Sequence, residues 1–202
     1  MKLGVDAVLH SGTKYLGGHS DVLLGVVTTS PWTERGREMG VQLRRAQVDA
    51  GAVAAPFDSW LTMRGLRTLH IRVERACQTA MSLATYLSMQ PLVKAVHYPG
   101  LVSHPQHEIA VRQMKNGFGG VLSIELHTKA QAMAVVGALQ TIQRATSLGG
   151  TETLAEHRES IEPPGRITSP PGLVRVSVGL EDAYDLMHDF SRALSIAEQV
   201  TN

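Results

Sequence analysis

The stretch Val5-Asp6-Ala7-Val8-Leu9-His10-Ser11-Gly12-Thr13-Lys14-Tyr15-Leu16-Gly17-Gly18-His19-Ser20-Asp21 sets the terms for the rest of the chain. It opens on a short apolar run, 5–9, and a second run, 22–29, leaves it. Short apolar runs bounded by glycine and polar residues predict strands buried on both faces. Between them lies a glycine-rich loop with one lysine, Lys14, preceded by the hydroxyls of Ser11 and Thr13. Desolvation between buried strands favours the neutral amine of a lysine and makes it a usable nucleophile. Hydroxyls beside it can donate to a phosphate. The same residues also suit an ordinary turn, where Ser and Thr bond the local backbone.

An amine next to a phosphate anchor is what a pyridoxal phosphate (PLP) Schiff base needs. The run Ser11–Asp21 resembles, nearly without a gap, the cofactor-lysine signature of the Cys/Met-metabolism PLP enzymes. These are the transsulfuration group: cystathionine γ-synthase, cystathionine γ- and β-lyases and methionine γ-lyase. Carried over by position, the resemblance implies that Lys14 forms the Schiff base with PLP and that Ser11 and Thr13 hold the cofactor phosphate. Leu24 departs from the pattern, since many members have glycine there.

Two further segments bear on chemistry. In Leu173-Val174-Arg175-Val176-Ser177-Val178, a period of two puts the valines on one face and Arg175 with Ser177 on the other. An arginine on a rigid strand can grip a carboxylate bidentately, or can simply lie on a solvated sheet face. In Ser147-Leu148-Gly149-Gly150-Thr151-Glu152-Thr153-Leu154, paired glycines allow close backbone approach to a ligand, or make an ordinary turn. Both segments are similar to motifs of the same family. The resemblance implies that Arg175 binds the substrate α-carboxylate and that Ser147 helps to seat it. Thr146 stands where cystathionine γ-lyases and many γ-synthases have glutamate, so no single reaction within the family is singled out.

Composition bounds the rest. The 202 residues carry 19 basic and 18 acidic side chains, net +1, which lacks the basic surplus of a nucleic-acid binder. Cys77 is the single cysteine, so no internal disulfide is possible and a reducing compartment is the natural home. Asp6 interrupts the apolar start, which argues against a signal peptide. No run approaches the ~18 apolar residues of a membrane span. A cytoplasmic protein without a membrane or nucleic-acid partner is expected. There is no hydrolase elbow, Walker loop or dinucleotide fingerprint, and no internal repeat.

Along the chain, the Arg-rich stretch 31–47 is expected to be helical. Leu69, Val73, Ala76, Cys77, Ala80, Leu83, Ala84 and Leu87 recur at helical spacing. Residues 93–98 and 119–126 read as strands, 129–139 as a helix, and 140–147 as a strand. The Gly- and Pro-punctuated stretch 148–172 reads as loop. Residues 173–178 form a strand, and a last helix starts near Glu181-Asp182. Ser103-His104-Pro105-Gln106 has the shape of a capping box for a short helix. His104, His107 and Glu108 read as structural residues, with no third metal ligand in pattern. His19-Ser20-Asp21 reads as ordering the lysine loop. Cys77 reads as an inert buried thiol.

The resemblance covers essentially the whole chain but only the second half of the family's usual length. It implies an α/β protein of PLP-dependent transferase fold type I. Residues 1–55 are then the end of the large cofactor domain, 56–90 a connecting helix, and 91–202 the C-terminal small α/β domain. It also implies an amino-acid substrate such as cystathionine or an O-acylhomoserine, elimination or replacement at its β or γ carbon, and a homo-oligomer, dimer or tetramer. In the family, the pyridinium-pairing aspartate, the ring-stacking aromatic and a Tyr/Arg pair from a neighbouring subunit come from upstream. The alternative is a truncated, non-catalytic fragment acting as an association module, whose edge strands near residue 5 seek partners.

Overall fold

Ala7–Ser11 (β1) and Gly25–Thr29 (β2) pair antiparallel, from Ala7 opposite Thr29 to Ser11 opposite Gly25. They belong to the first of two compact units, Met1–Leu69 and His70–Asn202. The structure, a computed structural model, describes residues 4–200. The first three residues of the start read for a signal peptide, Met1–Leu3, lie outside the described residues. Glu34–Asp49 (α1) begins at Thr33, whose side chain accepts from Gly36 N–H at 3.0 Å. Pro56–Leu66 (α2) has proline in its first turn, where the missing N–H costs nothing.

The strands expected to be buried on both faces are not. Leu9 is 74% and Val27 47% exposed. Among the described residues the sheet has only these two strands, and a two-stranded ribbon offers few neighbours to cover it. The second strand also starts later than the apolar run. Residues 22–24 are taken up in closing the lysine loop rather than in pairing.

The stretch expected as one connecting helix over 56–90 is two helices, α2 and Leu69–Ser88 (α3), separated by a turn at 67–68. The predicted stripe of α3 is buried from Ala76 to Leu87. The second unit also holds a five-stranded sheet: Val93–His97 (β3), Val121–Leu126 (β4), Gln143–Arg144 (β5), Leu154–His157 (β6) and Leu173–Ser177 (β7). The order is β3-β4-β7-β6-β5, antiparallel except for β5 with β6. His107–Gln113 (α4), Lys129–Ala138 (α5) and Ala183–Glu198 (α6) complete it. Leu122, Ile124, Val174 and Val176 face a core shared with Leu83 and Leu87 of α3, Val135 of α5, and Leu186 and Phe190 of α6. Alternation turns Ser123, Glu156 and Arg175 to the opposite face of the sheet.

Three sequence expectations are corrected here. The strand expected over 140–147 shrinks to Gln143–Arg144. The Asp189 carboxylate, on α6, accepts the N–H groups of Gln140, Thr141 and Ile142 at 2.9–3.0 Å and so removes them from any ladder. The stretch read as loop over 148–172 contains β6, an inner strand of the sheet, with only four residues to announce it. The capping box at Ser103 does not form. The α4 helix starts at His107 with no side-chain cap, and Gln106 N–H donates to His104 Nδ1 at 3.2 Å.

Candidate active site

In the first unit, Ser11 ends β1 and the chain passes into one wide helical turn, Gly12–Leu16, broken at Lys14 (φ −88°, ψ −130°). A two-way clamp closes the loop. Gly12 and Thr13 N–H donate to Leu24 O at 2.6 and 3.3 Å, and Leu24 N–H donates back to Thr13 Oγ1 at 3.0 Å. Accepting that bond leaves the Thr13 hydroxyl proton to be donated elsewhere. Gly17 N–H to Gly12 O (2.8 Å) and Gly18 N–H to Lys14 O (2.7 Å) tie the far side. His19 Nδ1 lies 2.8 Å from Gly17 O, a contact that orders the loop's exit.

Two glycines make this packing possible. A Cβ on Gly17 would sit 2.5 Å from Val22 Cγ1, and one on Gly65, in α2, would sit 2.2 Å from Gly17 O. No side chain fits in such spaces. The loop is therefore held between the strand side and α2, with half-buried Lys14 and Thr13 and exposed Ser11 on one short segment. One amine with two hydroxyls within four residues fits a group that carries both an aldehyde and a phosphate.

In the second unit, Arg175 lies on β7, half-buried, with its side chain 23% exposed. Its Nη2 donates to the Ser147 carbonyl at 3.0 Å, so the structure brings these two predicted residues together through the main chain of Ser147. Ser147 has φ 97°, a left-handed conformation that is costly for a residue with a Cβ. The loop around it is laced to the end of β7. Gly149 N–H donates to Ser177 Oγ at 3.2 Å, and Gly179 N–H to Thr153 Oγ1 at 2.8 Å. Glu181 accepts both the N–H and the hydroxyl of Thr153 at 2.6 Å. Those bonds hold the strained residue in place.

Sequence reasoning missed Glu156 on β6. It stands directly opposite Arg175 in the ladder, and Oε1 accepts from Arg158 Nη1 at 2.7 Å and forms an ion pair with Arg175 Nε at 2.9 Å. The signal was present in Leu154-Ala155-Glu156-His157, whose alternation would have put Ala155 and His157 on one face and Glu156 on the other. The neighbouring prolines and glycines masked it.

His107 Nδ1 lies 2.8 Å from the Pro99 carbonyl, and among the described residues no group of three His, Cys, Asp or Glu is placed to hold a metal. Cys77 is buried on α3, and burial pushes its thiol up despite the backbone N–H groups of Gly119 and Phe118. Among the described residues, no helix is long and apolar enough to cross a membrane.

The chain is similar to the crystal structure of metB from Corynebacterium glutamicum, with a TM-score of 0.89 and 42% identity over 96% of this chain and 50% of that one. The fold is accordingly the α/β PLP-dependent transferase fold type I. The model of the family described as Cys/Met metabolism PLP-dependent enzyme matches residues 1–195, and the chain belongs to that family. It is 45% identical over 202 residues to the cystathionine beta-lyase of Coxiella burnetii, covering 96% of this chain and 51% of the relative. Against the cystathionine gamma-synthase of Mycobacterium tuberculosis the identity is 44% over 199 residues, covering 96% and 50%. Against the cystathionine gamma-lyase of Bacillus subtilis it is 42% over 207 residues, covering 96% and 52%. The chain spans about half the length of the curated relatives it matches.

Proposed function

We propose that this chain is the part of a PLP-dependent transsulfuration enzyme that carries the cofactor lysine and the grip on the substrate carboxylate. The observation that carries the reading is the clamped loop, which places Lys14 on one short, tied backbone segment with Ser11 and Thr13. Lys14 is the attachment point for PLP, and Ser11 and Thr13 donate to its phosphate. When bound, PLP supplies an electron sink for the charge that develops at the substrate Cα. The Lys14 amine, when it is not holding the cofactor, takes and returns protons at the substrate carbons. The end edge of Arg175, Nη1 with Nη2, holds the α-carboxylate together with Ser147.

The substrate on this reading is a sulfur amino acid or its precursor, such as cystathionine or an O-acylhomoserine, with elimination or replacement at the β or γ carbon. Relatives named for three different reactions lie at 45%, 44% and 42% identity, so identity selects none of them. Residues 1–55 then close the large domain, 56–90 connect, and 91–202 form the small domain of a cytoplasmic enzyme.

The test is direct. The purified chain is incubated with PLP, reduced with borohydride and mapped by mass spectrometry. A pyridoxyl group on Lys14, lost in Lys14→Ala, supports the reading. No label, or label spread over the other lysines, overturns it.

A second reading, association with another copy of the chain, is favoured by the exposed apolar residues on the β1–β2 ribbon, Leu9 and Val27. Sedimentation that shows a monomer at every concentration would remove it.

A further inference from the structure

Among the described residues the Glu156 carboxylate is nearly removed from solvent, with its side chain only 4% exposed. A buried carboxylate is costly unless it is paired. Here one oxygen, Oε1, serves two guanidinium groups, Arg175 at 2.9 Å and Arg158 at 2.7 Å. The other, Oε2, is buried with no hydrogen-bond partner among the described residues. An arrangement chosen only to neutralise charge would use both oxygens. This one concentrates the pairing on the oxygen that faces Arg175.

The geometry at Arg175 explains the preference. Its guanidinium is planar and is tied at two nitrogens, Nε by the ion pair with Glu156 and Nη2 by its hydrogen bond to the Ser147 carbonyl. A planar group tied at two of its nitrogens has restricted freedom about its last torsions. The end edge, Nη1 with Nη2, is thereby held in one orientation before any ligand arrives. Ordering a long side chain beforehand removes a cost that binding would otherwise carry.

We infer that Glu156 is a positioning residue for the carboxylate grip: it acts through Arg175, fixing the plane in which that guanidinium meets the substrate carboxylate. This rests on the reading of Arg175 as the carboxylate holder.

Charge alone and positioning predict opposite signs, which makes the test decisive. Removing a negative group from beside an anion site tightens anion binding if only charge matters. It weakens binding if orientation matters.

The experiment titrates the full chain with L-homoserine at fixed ionic strength, following the Arg175 side-chain Nε–H resonance, assigned by its loss in Arg175→Lys, and the backbone amides near Ser147. The wild type should show a saturable shift, and Arg175→Lys should lose it. Glu156→Gln should bind about tenfold more weakly, with the Nε–H resonance moved and exchanging faster with water. Glu156→Asp keeps the charge but draws the oxygen back by one methylene, and should also weaken binding, about threefold. It decides the matter if Glu156→Gln fails to fold. Equal or tighter binding in the Glu156 variants, with Arg175→Lys still defective, overturns the positioning role alone. Unchanged binding in Arg175→Lys overturns the reading of Arg175. No saturable shift in the wild type overturns both.

Discussion

The two units treat their apolar residues in opposite ways. In the second, the sheet and its helices enclose a continuous core, with Phe190, Leu83, Ile124 and Val174 fully buried. In the first, Leu23 is 85%, Trp32 79% and Leu9 74% exposed, and order is maintained by backbone clamps and glycine contacts around the lysine loop. A unit held together by burial should respond to lost volume. A unit held by close backbone approach should respond to an added methyl and ignore lost surface methylenes. Both tryptophans, Trp32 and Trp60, lie in the first unit, so their fluorescence follows that unit while far-UV circular dichroism follows both.

The largest effect expected is from Phe190→Ala, which empties a fully buried site in the second unit and should cost about 3–5 kcal/mol. In urea unfolding, the dichroism transition should move to lower denaturant while the fluorescence transition stays in place. An equal shift of both would break the comparison by showing that the units unfold as one.

Asp189→Asn comes next, at about 2–3 kcal/mol. Burial raises the proton affinity of this carboxyl, but the N–H of Ile142, the Arg192 guanidinium and the N–H groups of Gln140 and Thr141 outweigh it and hold the group below the usual Asp range. A group depressed in the folded state stabilises above its unfolded value, at roughly pH 4. That stabilisation disappears as pH falls through the lower folded value. Stability of the second unit measured against pH should therefore lose its acid limb, in part, in Asp189→Asn. An unchanged limb would assign acid sensitivity elsewhere.

Gly65→Ala tests the first unit in the other direction. Its Cβ would sit 2.2 Å from the Gly17 carbonyl oxygen, which is backbone and has no rotamer to give, so about 1–3 kcal/mol of strain is expected. Hydrogen exchange at Gly17 and Gly18 N–H, the bonds that close the lysine loop, should accelerate. If those amides keep their protection, the support that α2 gives the loop is not what orders Lys14.

The sequence made the second unit legible wherever periodicity lasted. The stripes of α3 and α6 and the alternation in β4 and β7 run long enough to declare their faces. It failed at short elements decided by distant partners. Four residues of β6 are too few to show a period between Gly149-Gly150 and Pro163-Pro164, and no local signal says that Asp189 will capture residues 140–142. Of the proposed site, Ser11, Thr13, Lys14, Arg175 and Ser147 were found through motif likeness. Glu156 was not, because its meaning comes from the residue opposite it in the sheet. The burial of β1 and β2 was misjudged because apolar runs report that a strand can be covered, not that a covering layer is at hand.

That misjudgement gives the smallest effect and the sharpest contrast. At 74% exposure, Leu9 contributes little area to any core of this chain, so Leu9→Ser should change stability by no more than about 0.5 kcal/mol. A buried leucine replaced in the same way would cost several times as much. The fluorescence transition of Leu9→Ser should therefore overlay that of the wild type at low protein concentration. If it moves to lower denaturant, and the shift grows with concentration, then a second molecule covers the ribbon and stabilises it by mass action. The exposure of Leu9 would then belong to the isolated chain, and the contrast between the units would be one of where their partners lie rather than of how they are built.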